Sequence, residues 1–191
     1  MKKQILITLK YFLIITILTG VIYPLFITIV SIIIFPDKAS GSMIEKDGKI
    51  IGSKLIGQKF ESDKYFWSRP SAIDYNPMPS GGSNSGPTSA ALQKFYQDKQ
   101  KNFSEKNFVK DIASVPNEMF FASASGVDPN ISPISALFQV ERIVKTRKFN
   151  KAKKEKVIEL IDSLTEKPQF GFLGNEVVNV LLLNIELDKL D

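Results

Sequence analysis

The chain has 191 residues, with 25 basic and 20 acidic side chains and neither cysteine nor histidine. Lacking those two residue types, it cannot form disulfides, a Ser-His-Asp triad, a Cys-His pair or a typical zinc site. All 20 acids and 22 of the 25 bases follow residue 35, so that part carries a net charge of only +2. Such a charge gives no electrostatic reason to expect nucleic-acid binding.

The first predicted element is a membrane-spanning helix at Tyr11–Phe35, which contains 25 residues and no group charged at neutral pH. As a helix it would be about 37 Å long, more than the roughly 30 Å hydrocarbon core of a bilayer. A secretory signal peptide is the alternative, because small residues follow at 39–42. The apolar region of a signal peptide is only about 7–15 residues long, so an uncleaved anchor is favoured.

The flanking charges predict the orientation of this anchor. Lys2, Lys3 and Lys10 precede it without an acid among them, and short basic flanks stay in the cytoplasm. We therefore expect residues 1–10 to be cytoplasmic, 11–35 to span the membrane and 36–191 to form one extracytoplasmic domain.

Small or helix-breaking residues recur every four positions along the span, at Thr16, Gly20, Pro24 and Thr28. Such spacing lets a second helix approach closely, which favours packing against a partner in the membrane. The alternative is that these residues are ordinary for a span and that Pro24 only kinks it.

The remaining chain predicts a mixed α/β domain. Residues 36–48 are a polar connection that closes in a turn at Lys46-Asp47-Gly48, and 49–60 predict one or two short strands. Further on, helices are predicted at 89–107, from Ser132 to about Lys148, and after a cap at Asn150. Shorter predictions are a buried strand at 119–122, a turn with buried aromatic residues at 168–174, and a final helix at 176–190 capped by Asn175, with a strand as its alternative.

The segment 65–89 has an unusual composition: four Pro, three Gly and six Ser beside two Tyr, one Phe and the only Trp. Because a flexible linker would not carry so many aromatic residues, we expect a long ordered loop that presents polar groups. A mobile linker is the alternative.

Several motifs, in this order, resemble the C subunit of the Kdp potassium-transporting ATPase. They are the span with Thr19-Gly20 and Tyr23-Pro24, then GSKLIGQKF, YFWSRPSA, YNPMPSGGSNSGPT, ASASGVDPNISP, ALFQVERI and FLGNEVVNVLLLNIELD. The most specific are SGGSN at 80–84 and SGVDPNISP at 125–133. This chain departs from the family pattern at Asn130, where a His is usual, and at Ser68, where a Gly is usual.

The resemblance implies a non-catalytic accessory subunit of a high-affinity potassium uptake complex in the bacterial cell membrane. It implies as partners a channel-like potassium-translocating subunit, a P-type ATPase subunit that binds and hydrolyses ATP, and a small single-span peptide. The family is described as a catalytic chaperone that is needed for assembly and raises the ATP affinity of the pump subunit. The chain would have no cofactor of its own.

A Leu-x-Gly-Gln element of the family, matched by Leu55, Gly57 and Gln58, has been proposed to contact ATP. The predicted orientation places Gln58 outside, across the bilayer from cytosolic ATP, so we expect Gly57 to be structural and the effect on nucleotide binding to be indirect.

The predicted partner contacts outside the membrane lie in the loop at 65–89 and the turn at 123–133. The residues expected to carry them are Arg69, Tyr75, Asn76, Ser80, Asn84 and Asp128. For each one, a purely local structural role is the alternative.

Two other function classes stay open at this point. A membrane-anchored glycan-acting enzyme could use a carboxylate pair drawn from Asp63, Asp74 and Asp128. An exterior solute sensor would need a pocket and no partner.

Overall fold

The computed structural model of the chain describes residues 1–46, 48–78 and 81–191. They form two compact units, Met1–Ser53 and Lys54–Asp191. One N-terminal apolar helix and a mixed α/β domain confirm the predicted fold class. The predicted membrane boundary at residue 36 and the placement of the domain outside the cell stay predictions.

The first unit begins with a long helical segment. It comprises α1 (Lys2–Ile17), a π-helical turn (Leu18–Ile22) and α2 (Tyr23–Ile34). Among the described residues, these 33 form the one helix that is long and apolar enough to cross a membrane. The helix starts nine residues before the predicted span, because good helix formers such as Lys, Gln and Leu continue it beyond the apolar boundary.

Pro24 explains the π-helical turn. Proline has no amide hydrogen, and its ring would clash with the carbonyl four residues earlier. Immediately before it, the Tyr23 N–H donates to the Leu18 carbonyl, five residues back. The extra residue in this turn accommodates the missing hydrogen bond and the proline ring, and π-helical turns occur at such kinks in other helices.

A short helix and a hairpin complete the first unit. Helix α3 (Pro36–Ala39) leads into β1 (Met43–Lys46), which pairs in antiparallel fashion with β2 (Lys49–Ser53). The prediction of a strand from residue 49 is confirmed, but it ends at Ser53. Strand β1 lies in the segment that was predicted to be only a polar connection.

The second unit packs helices around a small sheet. Its elements are α4 (Ala90–Asn107), two 3₁₀ turns (Ile112–Ser114 and Asn117–Met119), β3 (Asn130–Ile131), α5 (Pro133–Leu137), α6 (Val140–Thr146), α7 (Lys151–Ser163), β4 (Thr165–Glu166), β5 (Val177–Asn179) and α8 (Val180–Asp188). Strand β5 lies between β3 and β4 and is antiparallel to both. The core includes the fully buried Phe66, Phe120, Ile143, Val178 and Leu183.

Polar side chains cap the first turns of α4, α5 and α7, and the sequence predicts two of these caps, at Ser132 and Asn150. Ser89, Ser132 and Asn150 each accept a hydrogen bond from the amide three residues later, which satisfies an N–H that the helix leaves unpaired. The predicted cap at Asn175 is wrong. Asn179 caps α8 instead, because residues 177–179 first pair as β5.

Three local predictions are wrong for physical reasons. Met119 and Phe120 are buried as expected, but Met119 ends a 3₁₀ turn and Phe120 directly follows it, so neither lies in a strand. The predicted helix from Ser132 divides into α5 and α6, because the intervening Gln139 bonds to another segment. The aromatic residues at 170 and 172 are exposed, since a three-residue loop at 170–172 carries them away from the core.

Candidate partner interface

Gly57 packs directly against the turn at 125–133. Its N–H donates to the Val127 carbonyl at 2.7 Å. A Cβ atom at this position would lie 2.8 Å from the carbonyl carbon of Asp128 and closer still to the oxygen. A glycine is required here because of this close approach of two backbones.

An ion pair links the 65–89 loop to the same turn. Arg69 Nη1 lies 2.8 Å from Asp128 Oδ2, and both side chains are about one quarter exposed, at 26% and 27%. The second carboxylate oxygen of Asp128 accepts a hydrogen bond from the Asn130 N–H at 3.0 Å. Asp128 therefore holds its own turn and the loop together.

Tyr75 fixes the loop beyond Arg69. Its hydroxyl donates to the Arg69 carbonyl, and its amide donates to Ser71 Oγ at 2.9 Å. Tyr75 and the preceding Asp74 both have positive φ angles, 60° and 53°. Burial raises the pKa of the Tyr75 phenol from 10.0 to about 12.

The raised pKa predicts how stability depends on pH. Between about pH 10 and 12, Tyr75 ionises in the unfolded chain but stays protonated in the fold, so stability falls as pH rises through that window. Tyr75→Phe should remove this part of the decline and cost about 1 kcal/mol at neutral pH through the lost hydrogen bond. Urea unfolding of the full chain in detergent at about pH 9 and about pH 11 measures both. Equal pH slopes in the two proteins would contradict the assignment.

The two glycines of the SGGSN motif lie along the same turn. A Cβ atom at Gly126, whose φ is +72°, would lie 3.0 Å from the Gly81 carbonyl oxygen and 2.7 Å from Ile73 Cδ1. A Cβ atom at Gly82 would lie 3.2 Å from the Ala124 carbonyl oxygen. We call the place where residues 57–58, 69–75, 81–82 and 123–128 meet the loop junction.

The whole sequence is similar to known proteins. The family described as "KdpC: K+-transporting ATPase, c chain" matches residues 5–189. A potassium-transporting ATPase KdpC subunit from Geotalea uraniireducens is 45% identical over 98% of both chains, and one from Leptospira interrogans is 41% identical over 96% of this chain and 92% of its own. One from Methylococcus capsulatus is 44% identical over 92% of both chains. The two motifs that meet at the loop junction are those on which the resemblance most depends.

This chain belongs to the KdpC family. It is accordingly a membrane-associated subunit of a potassium-transporting ATPase, and the chain that hydrolyses ATP is a partner.

Not every predicted contact residue of this KdpC-family chain lies in the junction. Asn76 is exposed, and its Oδ1 accepts from the Met78 N–H at 3.1 Å, so it stabilises its own turn. Asn84 is exposed with a φ of 50°, and Leu55 is 60% exposed. Ser80 lies outside the described residues. The carbonyl of Gln58 accepts from Ser68 Oγ at 3.2 Å.

Sequence reasoning missed two buried amides that hold the start of the loop. Asn184 accepts from the Phe66 N–H at 2.8 Å and donates to the Phe66 carbonyl at 2.9 Å. Gln139 does the same for Trp67, at 2.7 and 3.2 Å. Each amide replaces the partner strand that this extended segment lacks. The signal was a polar residue within an apolar helical run, in ALFQV and VLLLNI.

Arg142 is the third residue that was missed. It is 2% exposed, and its guanidinium carbon lies 3.9 Å from the centre of the Trp67 ring. Its Nε donates to Asn107 Oδ1 and its Nη2 to Gln139 Oε1, both at 2.9 Å. Burial lowers its pKa to about 10, which leaves it charged at neutral pH. Arg142 thus connects α6, α4 and the loop.

The three acids that a glycan-acting enzyme could use each form an ion pair with a basic side chain. Asp63 pairs with Lys106 at 2.8 Å, Asp74 with Lys59 at 2.7 Å, and Asp128 with Arg69. A cleft of about 300 Å³ does lie beside Tyr75. In its lining, Lys59 forms ion pairs with both Asp74 and Glu61, so these charged groups are already paired with one another. Neither feature favours the glycan enzyme or the sensor over a transporter subunit.

Proposed function

We propose that this chain is the accessory subunit of an ATP-driven, high-affinity potassium uptake complex in a bacterial cell membrane, and that its second unit docks on the partners through the loop junction. The observation that carries this proposal is the meeting of the SGGSN and SGVDPNISP motifs in one fixed, partly exposed structure. Rigid loops on a folded scaffold are common binding devices, because little conformational entropy is lost when they bind.

The anchor helix would pack against the channel-like potassium-translocating subunit or the small single-span peptide. Gly20 supports this, because a Cβ atom there would meet nothing within 4 Å and its φ is not positive. Among the residues that the structure describes, no contact requires glycine at that position, whereas close approach of a second helix would. Thr16, Pro24 and Thr28 continue the same four-residue spacing.

The subunit would raise the ATP affinity of the P-type ATPase subunit without touching nucleotide. With Lys2, Lys3 and Lys10 in the cytoplasm, the Leu-x-Gly-Gln element lies on the other side of the membrane from ATP. Coupling needs only that the docked domain favour the pump conformation with the higher ATP affinity. Gly57 and Gln58 would then serve ATP binding only by holding the loop junction in place.

The direct test is a pull-down of the full chain in mild detergent, with mass spectrometry of the captured proteins and potassium-dependent ATP hydrolysis measured on the eluate. A P-type ATPase chain and a multi-span channel-like chain should be recovered, and activity should fall when this subunit is stripped. Recovery of the chain alone would contradict the proposal.

Asp128→Asn tests the loop junction within that complex. It removes one ion pair that is partly exposed, so the domain should lose at most about 1 kcal/mol of stability. The less rigid junction should nevertheless weaken the coupling between docking of this domain and ATP binding by the pump subunit. The KM for ATP should therefore rise by about fivefold or more.

Asp63→Asn is the matched control, because it breaks an ion pair of the same length outside the junction. Equal KM values for ATP in the two variants would show that the junction has no special role in coupling.

A further inference from the structure

Among the described residues of the second unit, those of the loop at 168–174 form the most exposed apolar feature. The exposed fraction is 86% for Phe170, 75% for Phe172 and 50% for Leu173. Large aromatic side chains are costly to leave in water, and such exposed groups mark contact sites. The loop-junction residues do not include this loop, so the inference goes beyond the function proposed above.

Four backbone N–H groups of this loop are bonded to carbonyls within the loop itself. The Gln169 N–H donates to the Leu173 carbonyl, and the Leu173 N–H donates to the Gln169 carbonyl, both at 2.9 Å. The Gly171 N–H donates to the Pro168 carbonyl at 3.0 Å and the Phe172 N–H to the Gln169 carbonyl at 3.2 Å. The loop can therefore leave water without orphaning these amides, which is the main requirement for entering lipid.

The charge pattern fits the same environment. Residues 168–175 contain no ionisable side chain, while Lys167 and Glu176 lie directly beyond the two ends. An apolar tip between polar flanks matches the boundary between acyl chains and headgroups, where a lysine stem can extend toward the headgroups.

A lipid surface is also the partner that is always within reach. The same polypeptide carries the membrane-spanning candidate Lys2–Ile34, so chain connectivity keeps the bilayer at a high effective concentration. A protein partner would need a pocket shaped for a narrow tip with two aromatic rings, whereas the headgroup region accepts such a tip without one.

We propose that Phe170, Phe172 and Leu173 form a tip that inserts into the lipid headgroup region of the bilayer in which the chain is anchored. The contact is driven by apolar burial, so neutral phosphatidylcholine is sufficient. It would fix the orientation of the second unit over the membrane and reduce the orientational freedom lost when it docks.

The absence of cysteine makes a clean labelling experiment possible. Phe170→Cys in the full chain is labelled with an environment-sensitive fluorophore before the chain is combined with its partners, and the labelled complex is placed in phosphatidylcholine nanodiscs. Lys101→Cys, exposed on α4, is the matched control. Headgroup-proximal nitroxide lipid should quench more than half of the emission at position 170 and little of it at position 101, whereas aqueous iodide should show the opposite preference.

Two results would overturn the proposal. Iodide quenching at position 170 equal to that at position 101 would place the tip in water. Shielding from both quenchers would place it against a protein partner instead. Phe172→Cys repeats the test with Phe170 intact, and failure to recover partner chains, which bears on the proposed function, is seen separately by mass spectrometry of the same sample.

Discussion

Arg142→Met is expected to lower the free energy of unfolding of the domain by about 3 kcal/mol. Methionine fills much of the same volume but donates no hydrogen bond. The Asn107 side-chain oxygen would then lose its donor, and so would the Asp63 carbonyl, 2.5 Å from Nη1. Gln139 Oε1 would keep the hydrogen bond from the Trp67 N–H but lose its second donor. Each buried acceptor left unpaired costs about 1–3 kcal/mol, partly offset because a buried charge is removed.

Urea unfolding of the full chain in detergent, followed by circular dichroism, measures this loss. Lys145→Met is the matched control, because it removes a charge from an exposed position of the same helix. The control should change stability by well under about 1 kcal/mol. Equal effects of the two substitutions would show that Arg142 does not connect the loop to the core.

Gly57→Ala is expected to be the most damaging single-methyl change in the described part of the chain. The added carbon would overlap the Asp128 backbone, and the Val127 carbonyl that accepts from the Gly57 N–H holds that backbone in place. Overpacking usually costs about 1–3 kcal/mol, and an overlap with main chain should reach the top of that range. Assembly with the partner chains should fall in parallel.

Gly86→Ala is the matched control, because a Cβ atom there meets nothing within 4 Å. The comparison is made on the full chain without nucleotide, by the same urea unfolding. If Gly57→Ala left stability unchanged but raised the KM of the complex for ATP, the structural role assigned to Gly57 would be wrong and a nucleotide contact would be favoured.

The sequence predicted the features that depend on local chemistry. The apolar helix, the start of the hairpin strand and the caps at Ser132 and Asn150 follow from patterns within a few residues. A structural role for Gly57 was also expected. The structure shows a close approach of two segments 71 positions apart, which no local rule can foresee.

The errors share a cause, which is that long-range pairing decided the local structure. Val177–Asn179 became a strand because β3 and β4 lie on either side of it, and this moved the helix cap from Asn175 to Asn179. Gln139 interrupted a predicted helix by bonding to Trp67. The aromatic residues at 168–174 were expected to be buried because aromatic side chains usually are. Instead, a tight loop keeps them exposed to solvent.

The loop junction contains those predicted contact residues that bond to one another within the chain. Arg69, Tyr75 and Asp128 interact with one another or with each other's backbone. Asn76 and Asn84 do not join them, because short polar residues in turns bond locally or face solvent. Exposed positions of that kind depend on the partner, so neither the sequence nor the isolated chain fixes their role.

Amide hydrogen exchange on the chain alone and within the purified complex tests the central claim most directly, because it reports where the partners cover this subunit. We expect protection to rise at 81–86 and 124–128 on assembly, with little change in the exposed part of α4. Unchanged exchange at the loop junction, with protection elsewhere on the domain, would contradict docking through this surface.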